Sequence, residues 1–239
     1  TSIMCEAVRA RMLLFAASPL VNGNPDYVAH TNKEGKELFN TTYDASKWTK
    51  AATASKKLID DAEAAGHALY TELNDDGSID PFLSCENLFL KEYSKGNTEI
   101  LFARPSCDYS TYDKHSAPYG SSGNGGYGVT QSLVDAFFMA NGLPKDDPNS
   151  GYSETGFSTS DGYFTTGKTK WKECKNVGQV TLAGTYKMYC NREPRFYLAV
   201  NFNGQWYNKD SRTLNFYYNG KDNPGTHDAP QNGYLSRKR

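Results

Sequence analysis

The chain has 239 residues, enough for one or two domains with a substantial core, which excludes a solitary peptide or a small disulfide knot. Hydrophobic residues make up 38% and 21 glycines add to the apolar share, so the composition is that of a folded protein with a polar surface. Lys and Arg number 26 against 27 Asp and Glu, a formal net charge of -1 with no long basic run, so no nucleic-acid partner is expected.

Aromatic residues are unevenly spread. There are 17 Tyr, 12 Phe and 3 Trp, and only nine of them precede residue 101, so broad contact surfaces are expected in the later part of the chain. The excess of Tyr over Phe fits rings that keep one polar edge in water. Cys5, Cys85, Cys107, Cys174 and Cys190 are odd in number and far apart, which points to neither a zinc ribbon nor a dense disulfide framework and leaves the redox compartment open. No stretch reaches the ~20 apolar residues of a membrane span, and no basic-then-apolar signal segment opens the chain.

Residues 3–17 place Ala7, Ala10, Leu14 and Ala17 on one helical face with Met4, Val8 and Phe15 beside it, and Ser18-Pro19 closes the helix. After a polar loop, Asp44 or Ser46 caps a second helix, with Trp48, Ala51, Ala52, Ser55, Leu58, Ile59 and Ala62 on its buried side and Gly66 as its stop. This phase puts Trp48 in the core, so Trp48→Ala is expected to cost about 3–5 kcal/mol. The Ala-rich pair reads either as an ordinary helical hairpin or as one tetratricopeptide-type pair with no second copy following at the ~34-residue period. Asn74-Asp75-Asp76-Gly77 marks a turn, the segment around Asn87–Tyr93 a short helix, and Glu99–Ala103 a buried strand or extended segment.

From Arg104 to Gly128 the chain turns to Ser, Tyr, Gly and Asp, a long loop of the kind that often carries function. Thr130 then caps a helix through residue 140 that ends at Asn141-Gly142. Residues 143–189 show no sustained core face. Phe196–Phe202, Asn203-Gly204 and Gln205–Tyr207 read as a β-hairpin, Leu214–Tyr218 as a further strand, and the tail from Asp222 as loop.

Gly123 to Gly128 satisfies GxGxxG before a helix, but residues 106–122 are polar and Tyr-rich where a dinucleotide fingerprint needs a strand, so a flexible or tightly turning loop is expected. His30, His67, His115 and His227 are scattered without zinc spacing, and neither a nucleophile elbow nor a P-loop is present. Asp60-Asp61, Asp75-Asp76 and Asp146-Asp147 read as solvated helix faces and turns. What remains is aromatic irregular structure. Trp171 lies between two lysines, Tyr163 just before it, and Tyr119 and Tyr127 flank the glycine-rich loop. Such rings stack on the apolar faces of sugars while neighbouring polar groups meet the hydroxyls. Trp171 as a pin for a long loop is the other reading, and Trp206 beside Asn-Gly is read chiefly as structural.

Five strings carry a family resemblance: residues 10–24 (ARMLLFAASPLVNGN), 48–60 (WTKAATASKKLID), 97–104 (NTEILFAR), 129–142 (VTQSLVDAFFMANG) and 191–204 (NREPRFYLAVNFNG). In order and approximate spacing they resemble the SusD/RagB family, surface lipoproteins of the Bacteroidetes outer membrane. Members capture nutrients, typically oligosaccharides, for a partner SusC-like TonB-dependent transporter. The resemblance implies a mainly α fold of tetratricopeptide-like helical pairs with long loops and a few short β-hairpins. It also implies a single SusD-like domain over residues 1–239, reading as an internal fragment without the N-terminal lipoprotein segment, its lipid anchor or the family's C-terminal end. Val129, Phe138 and Thr98 depart from residues common in the family. The implied function is non-catalytic glycan binding at the cell surface, without cofactor or metal. Peptide capture within the same family, or a carbohydrate-active hydrolase, is the alternative. The ligand face is expected between Tyr119 and Trp171, built from Trp171, Tyr163, Tyr127 and Tyr119.

Overall fold

The computed structural model describes residues 2–103, 109–164, 178–225 and 227–237, and they form two compact units. Thr1–Tyr70 with Tyr93–Pro105 make the first; Thr71–Glu92 with Ser106–Arg239 make the second.

The first unit is an antiparallel helix pair, α1 (Ser2–Ala17) and α2 (Ser46–Ala64). Alanines line the seam: Ala10 and Ala17 of α1 and Ala51, Ala54 and Ala62 of α2 are buried, and side chains this small let two backbones approach closely. Asn22 ties the two helix ends together. Its side chain donates to the carbonyls of Ala17 (3.3 Å) and Asp44 (3.1 Å) and accepts the Asp44 N–H (2.9 Å). At the far end Gly66, with φ of 89°, stops α2 as its left-handed terminal residue.

The seam corrects the expected phase of both helices. Leu14 and Phe15 are exposed, as are Ala52 and Ile59, and Trp48 is 41% exposed at the edge of α2 rather than in the core. The small side chains take the contact, leaving the large ones along the flanks of an apolar stripe wider than one partner helix covers. Trp48→Ala is therefore expected to cost only about 1 kcal/mol in a thermal melt, because a ring this exposed leaves no closed cavity behind. Residues 99–103 form no strand. Glu99 instead accepts the Tyr70 N–H at 2.9 Å, and Thr98 exchanges hydrogen bonds with Ala68, while Phe102 is exposed.

The second unit begins with β1 (Glu72–Leu73) and β2 (Ile79–Asp80), antiparallel across the turn at residues 74–77. Then come α3 (Pro81–Leu90), α4 (Ser110–Ser116) and α5 (Gln131–Ala136). The helix expected near Asn87 thus starts earlier, because Asp80 caps it by accepting the Leu83 N–H at 2.9 Å and Pro81 presets its first turn. Thr130 caps α5 as expected, its hydroxyl accepting from Leu133 at 3.3 Å. However, α5 stops at Ala136, since the next backbone groups are claimed elsewhere: Phe138 N–H by Glu193 (2.9 Å) and Ala140 N–H by the Asn191 carbonyl (2.7 Å).

The remaining elements are β3 (Gly162–Tyr163), β4 (Gln179–Thr181), α6 (Pro194–Ala199), β5 (Val200–Phe202), β6 (Trp206–Tyr207), β7 (Arg212–Thr213) and β8 (Tyr234–Ser236). The pairs are β3 with β4, β5 with β8 and β6 with β7, each antiparallel and two-stranded. The expected hairpin across Asn203-Gly204 is therefore not a strand pair. The turn exists, with Gln205 N–H reaching the Phe202 carbonyl at 3.3 Å, but only Gly204 takes a positive φ, so the turn is not the two-residue type that splices neighbouring strands. Residues 196–199 are helical, Leu214–Tyr218 form no strand, and the tail expected to be loop supplies β8.

The main core joins Phe82, Leu83, Val134, Val180, Phe196, Tyr197, Val200, Phe202 and Tyr234, and a smaller cluster joins Tyr207, Leu214, Phe216 and Leu235. Arg192 lies fully buried beside the first. Its guanidinium donates to the carbonyls of Val134 (2.7 Å), Phe137 (2.8 Å) and Met188 (3.1 Å) and lies 4.9 Å from the Phe196 ring centre. Burial pushes its pKa down from the usual arginine value. The architecture is mainly helical, with short strand pairs as expected.

Candidate ligand face

The glycine-rich loop folds back onto the end of α4. Asn124 N–H reaches the Lys114 carbonyl (2.7 Å), Gly125 N–H that of Ala117 (3.1 Å), and Gly126 and Tyr127 N–H both reach His115 (2.8 and 3.0 Å). Close approach explains the glycines. A Cβ at Gly123 would stand 2.0 Å from the Ala117 carbonyl oxygen, and one at Gly126 would be 2.8 Å from His115 Nδ1. These N–H groups are consumed within the loop, so they do not form the open cradle a dinucleotide phosphate needs. The tightly turning loop is what the structure contains.

Two tyrosines stand out from it. Tyr127, 41% exposed, lies 5.2 Å from the Tyr112 ring and 5.6 Å from His115, and its carbonyl accepts Ser236 N–H at 2.8 Å. Tyr119, 40% exposed, has its ring edge-on to His227 at 6.4 Å. The glycine-rich loop approaches the same segment as Tyr119: a Cβ at Gly125 would lie 3.1 Å from the Asp228 carbonyl oxygen, one residue after His227.

The turn holding Tyr119 is braced by charge. Arg212 forms a two-pronged pair with Asp222, both contacts 2.7 Å, and also donates to Ser121 Oγ (2.8 Å) and Asp210 (3.3 Å). Asp222 is fully buried and accepts Gly120 N–H (3.2 Å) and Asn215 N–H (2.8 Å) as well, while Ser121 donates to Asp210. The Asp222 hydrogen bond holds the Arg212 pKa above its usual value, and the Ser121 hydroxyl followed by Arg212 holds the Asp210 carboxyl below its own. The exposed ring thus projects from a fixed base, which lowers the ordering cost of ligand contact.

Tyr163 sits elsewhere, in β3. It is 56% exposed, donates to Asp161 at 3.2 Å, and pairs across the strands with Gln179. Among the described residues no ring contact links it to Tyr119 or Tyr127. Trp171 lies outside the described residues. Sequence pattern does not single out the companions Tyr112, His115 and His227, nor Tyr217 and Tyr218, both exposed beside the Asn219-Gly220 turn. Their signal is the repeated pairing of rings with Gly, Asn and Asp, which at 214–218 also fits a strand.

Trp206 is partly buried and donates from Nε1 to Asn208 at 2.7 Å, a structural placement. The carboxylate pairs fall on helix faces and turns. Asp60 and Asp61 meet Lys56 and Lys57 one helical turn away, Asp76 accepts Ser78 N–H (2.9 Å), and Asp147 accepts Asn149 N–H (2.8 Å). Among the described residues no group of three or more His, Cys, Asp or Glu is placed to hold a metal ion, and no helix is long and apolar enough to cross a membrane.

No curated protein sequence matches the chain. Among solved structures it resembles BT4246, with a TM-score of 0.68 and 24% identity over the whole of this chain. Selenomethionine BT4246 gives a TM-score of 0.65 at the same 24% identity, again over the whole chain. The chain spans 44% and 45% of those two chains, somewhat under half of their length. At this identity the likeness concerns the fold. The model of the SusD family matches residues 85–239, well over half of the sequence and including the glycine-rich loop, the Arg212–Asp222 brace and all of the main core except Phe82 and Leu83. The chain belongs to the SusD family.

Proposed function

We propose that the protein captures oligosaccharides at the bacterial cell surface, without cleaving them, for delivery to a SusC-like TonB-dependent transporter of the outer membrane. The observation that carries this reading is the pair of exposed tyrosines, Tyr119 and Tyr127, held on a braced loop amid His, Asn and Asp side chains. Membership of the SusD family supports it. Stacking supplies affinity while the polar neighbours meet hydroxyls, so no covalent step is needed. Tyr163 and Trp171 belong to the same proposal as further stacking rings. Attachment to the outer membrane through a lipid anchor is part of the proposal, and membership of the SusD family supports it.

A glycan array followed by calorimetric titration of the best oligosaccharide tests it. Tyr119→Ala should weaken binding by about 1–3 kcal/mol, the size of an interface hot spot, while the melting temperature stays within error of wild type. Chromatography should recover the sugar intact. Cleavage of the bound glycan, abolished by replacing one carboxylate, would establish a hydrolase instead.

A further inference from the structure

Tyr119 is not alone on the segment it borders. Tyr218, in the loop after β7, is 73% exposed, and its ring lies against Gly225. A Cβ at Gly225 would stand 2.9 Å from Tyr218 Cε2 and 3.1 Å from its Cζ, and the residue takes a φ of 78°, so glycine is what lets the ring occupy this place. Two residues further along the chain, His227 meets the Tyr119 ring edge-on at 6.4 Å. Two backbone steps span at most about 7 Å, so both tyrosines flank one short stretch of chain.

A second connection ties the two from the other side. The Lys221 stem, three residues after Tyr218, lies against Gly120: a Cβ there would be 2.8 Å from Lys221 Cγ and 2.7 Å from Asp222 Oδ1. The loop of Tyr218 is itself fixed. Asp222 N–H reaches the Asn215 carbonyl (3.1 Å), Gly220 N–H that of Tyr217 (2.7 Å), and the Asn223 side chain donates to the Phe216 carbonyl (3.0 Å). Asp222, which holds the turn of Tyr119 through Gly120 N–H, also accepts Asn215 N–H, so one buried carboxylate anchors the bases of both rings. At its exposure the Tyr218 ring adds little to the fold, whereas a sugar stacked on it would cover apolar surface at a low ordering cost. Asn219 and Lys221, both exposed, stand beside it with polar groups for hydroxyls.

We infer that Tyr218 is a second stacking ring on the same ligand face as Tyr119, and that one oligosaccharide chain lies across both. Tyr119 takes one sugar unit and Tyr218 another further along the chain. Gly225 is a positioning residue, acting through the ring for which it leaves room. The inference rests on the glycan-capture reading and deepens it: two fixed rings joined by a stretch of protein favour a chain that reaches both over a single sugar.

Calorimetric titration of the intact protein with maltohexaose, cellohexaose, xylohexaose and mannohexaose tests it. A hexasaccharide that binds should do so at one per protein. Tyr218→Ala should weaken it about tenfold or more with the melting temperature unmoved, and Tyr218→Phe, which keeps the stacking face, should hold the affinity near that of wild type. Gly225→Ala should also weaken binding, yet add no further loss to Tyr218→Ala, because the two act through one ring. Full affinity in Tyr218→Ala, with binding still weakened by Tyr119→Ala, overturns the second ring and keeps the capture reading. Two hexasaccharides per protein, one lost in each tyrosine variant, overturn the shared face. No binding of any of the four to wild type overturns the capture reading and this inference with it.

Discussion

Arg192→Ala is expected to lower the stability of the larger unit by about 3–5 kcal/mol, read as a shifted urea midpoint with a cooperative transition. The loss has two sources. Removing the guanidinium strips the buried carbonyls of Val134, Phe137 and Met188 of a charged donor, and it empties the space beside the Phe196 ring. Arg192→Met separates them. Methionine refills much of the space but donates nothing, so it should recover only the packing share, leaving the penalty of the unpaired carbonyls. A variant that melts with wild type would mean that those carbonyls find other donors.

Asp222→Ala should cost about 3 kcal/mol or more, because it abandons a largely buried Arg212 and strips Gly120 and Asn215 of their acceptor. The same substitution frees the turn that carries Tyr119, so glycan affinity should fall in the fraction that remains folded. Asp222→Asn keeps the size and one acceptor oxygen while losing the charge, and it should restore part of both losses. Calorimetry of binding beside chemical denaturation separates the effects; unchanged affinity in a destabilised but folded Asp222→Ala would show that the brace does not position Tyr119.

Local patterns were readable and distant pairings were not. The helix pair follows from the alanine spacing at residues 10, 17, 51 and 62, and Gly66 ends α2 where a left-handed residue is required. The phase at Trp48 differs from the expected one, because hydrophobicity favours the largest side chain for the interior whereas a close helix seam selects the smallest. Strands of two or three residues carry no periodicity, so the pairing of Val200–Phe202 with Tyr234–Ser236 left no local trace. The exposure of Tyr119 and Tyr127 was readable from their polar, glycine-rich surroundings. Their support was not, since Gly120 and Asp222 are 102 residues apart.

The fastening of the tyrosine loop also sets an order of events during synthesis. Ser236 N–H holds the Tyr127 carbonyl, Asn232 donates to the Val129 carbonyl at 2.6 Å, and Tyr234 donates to Gln131 at 2.9 Å, the last two across 103 residues. A ribosome therefore makes the loop long before it makes the clasp. Until β8 has emerged, the nascent chain carries tyrosines without their frame, and the unit closes only when that late strand docks. The clasp closes only at the end of translation of this segment, so a chain interrupted between residues 225 and 236 would carry Tyr119 and Tyr127 and still lack the strand that fastens their loop.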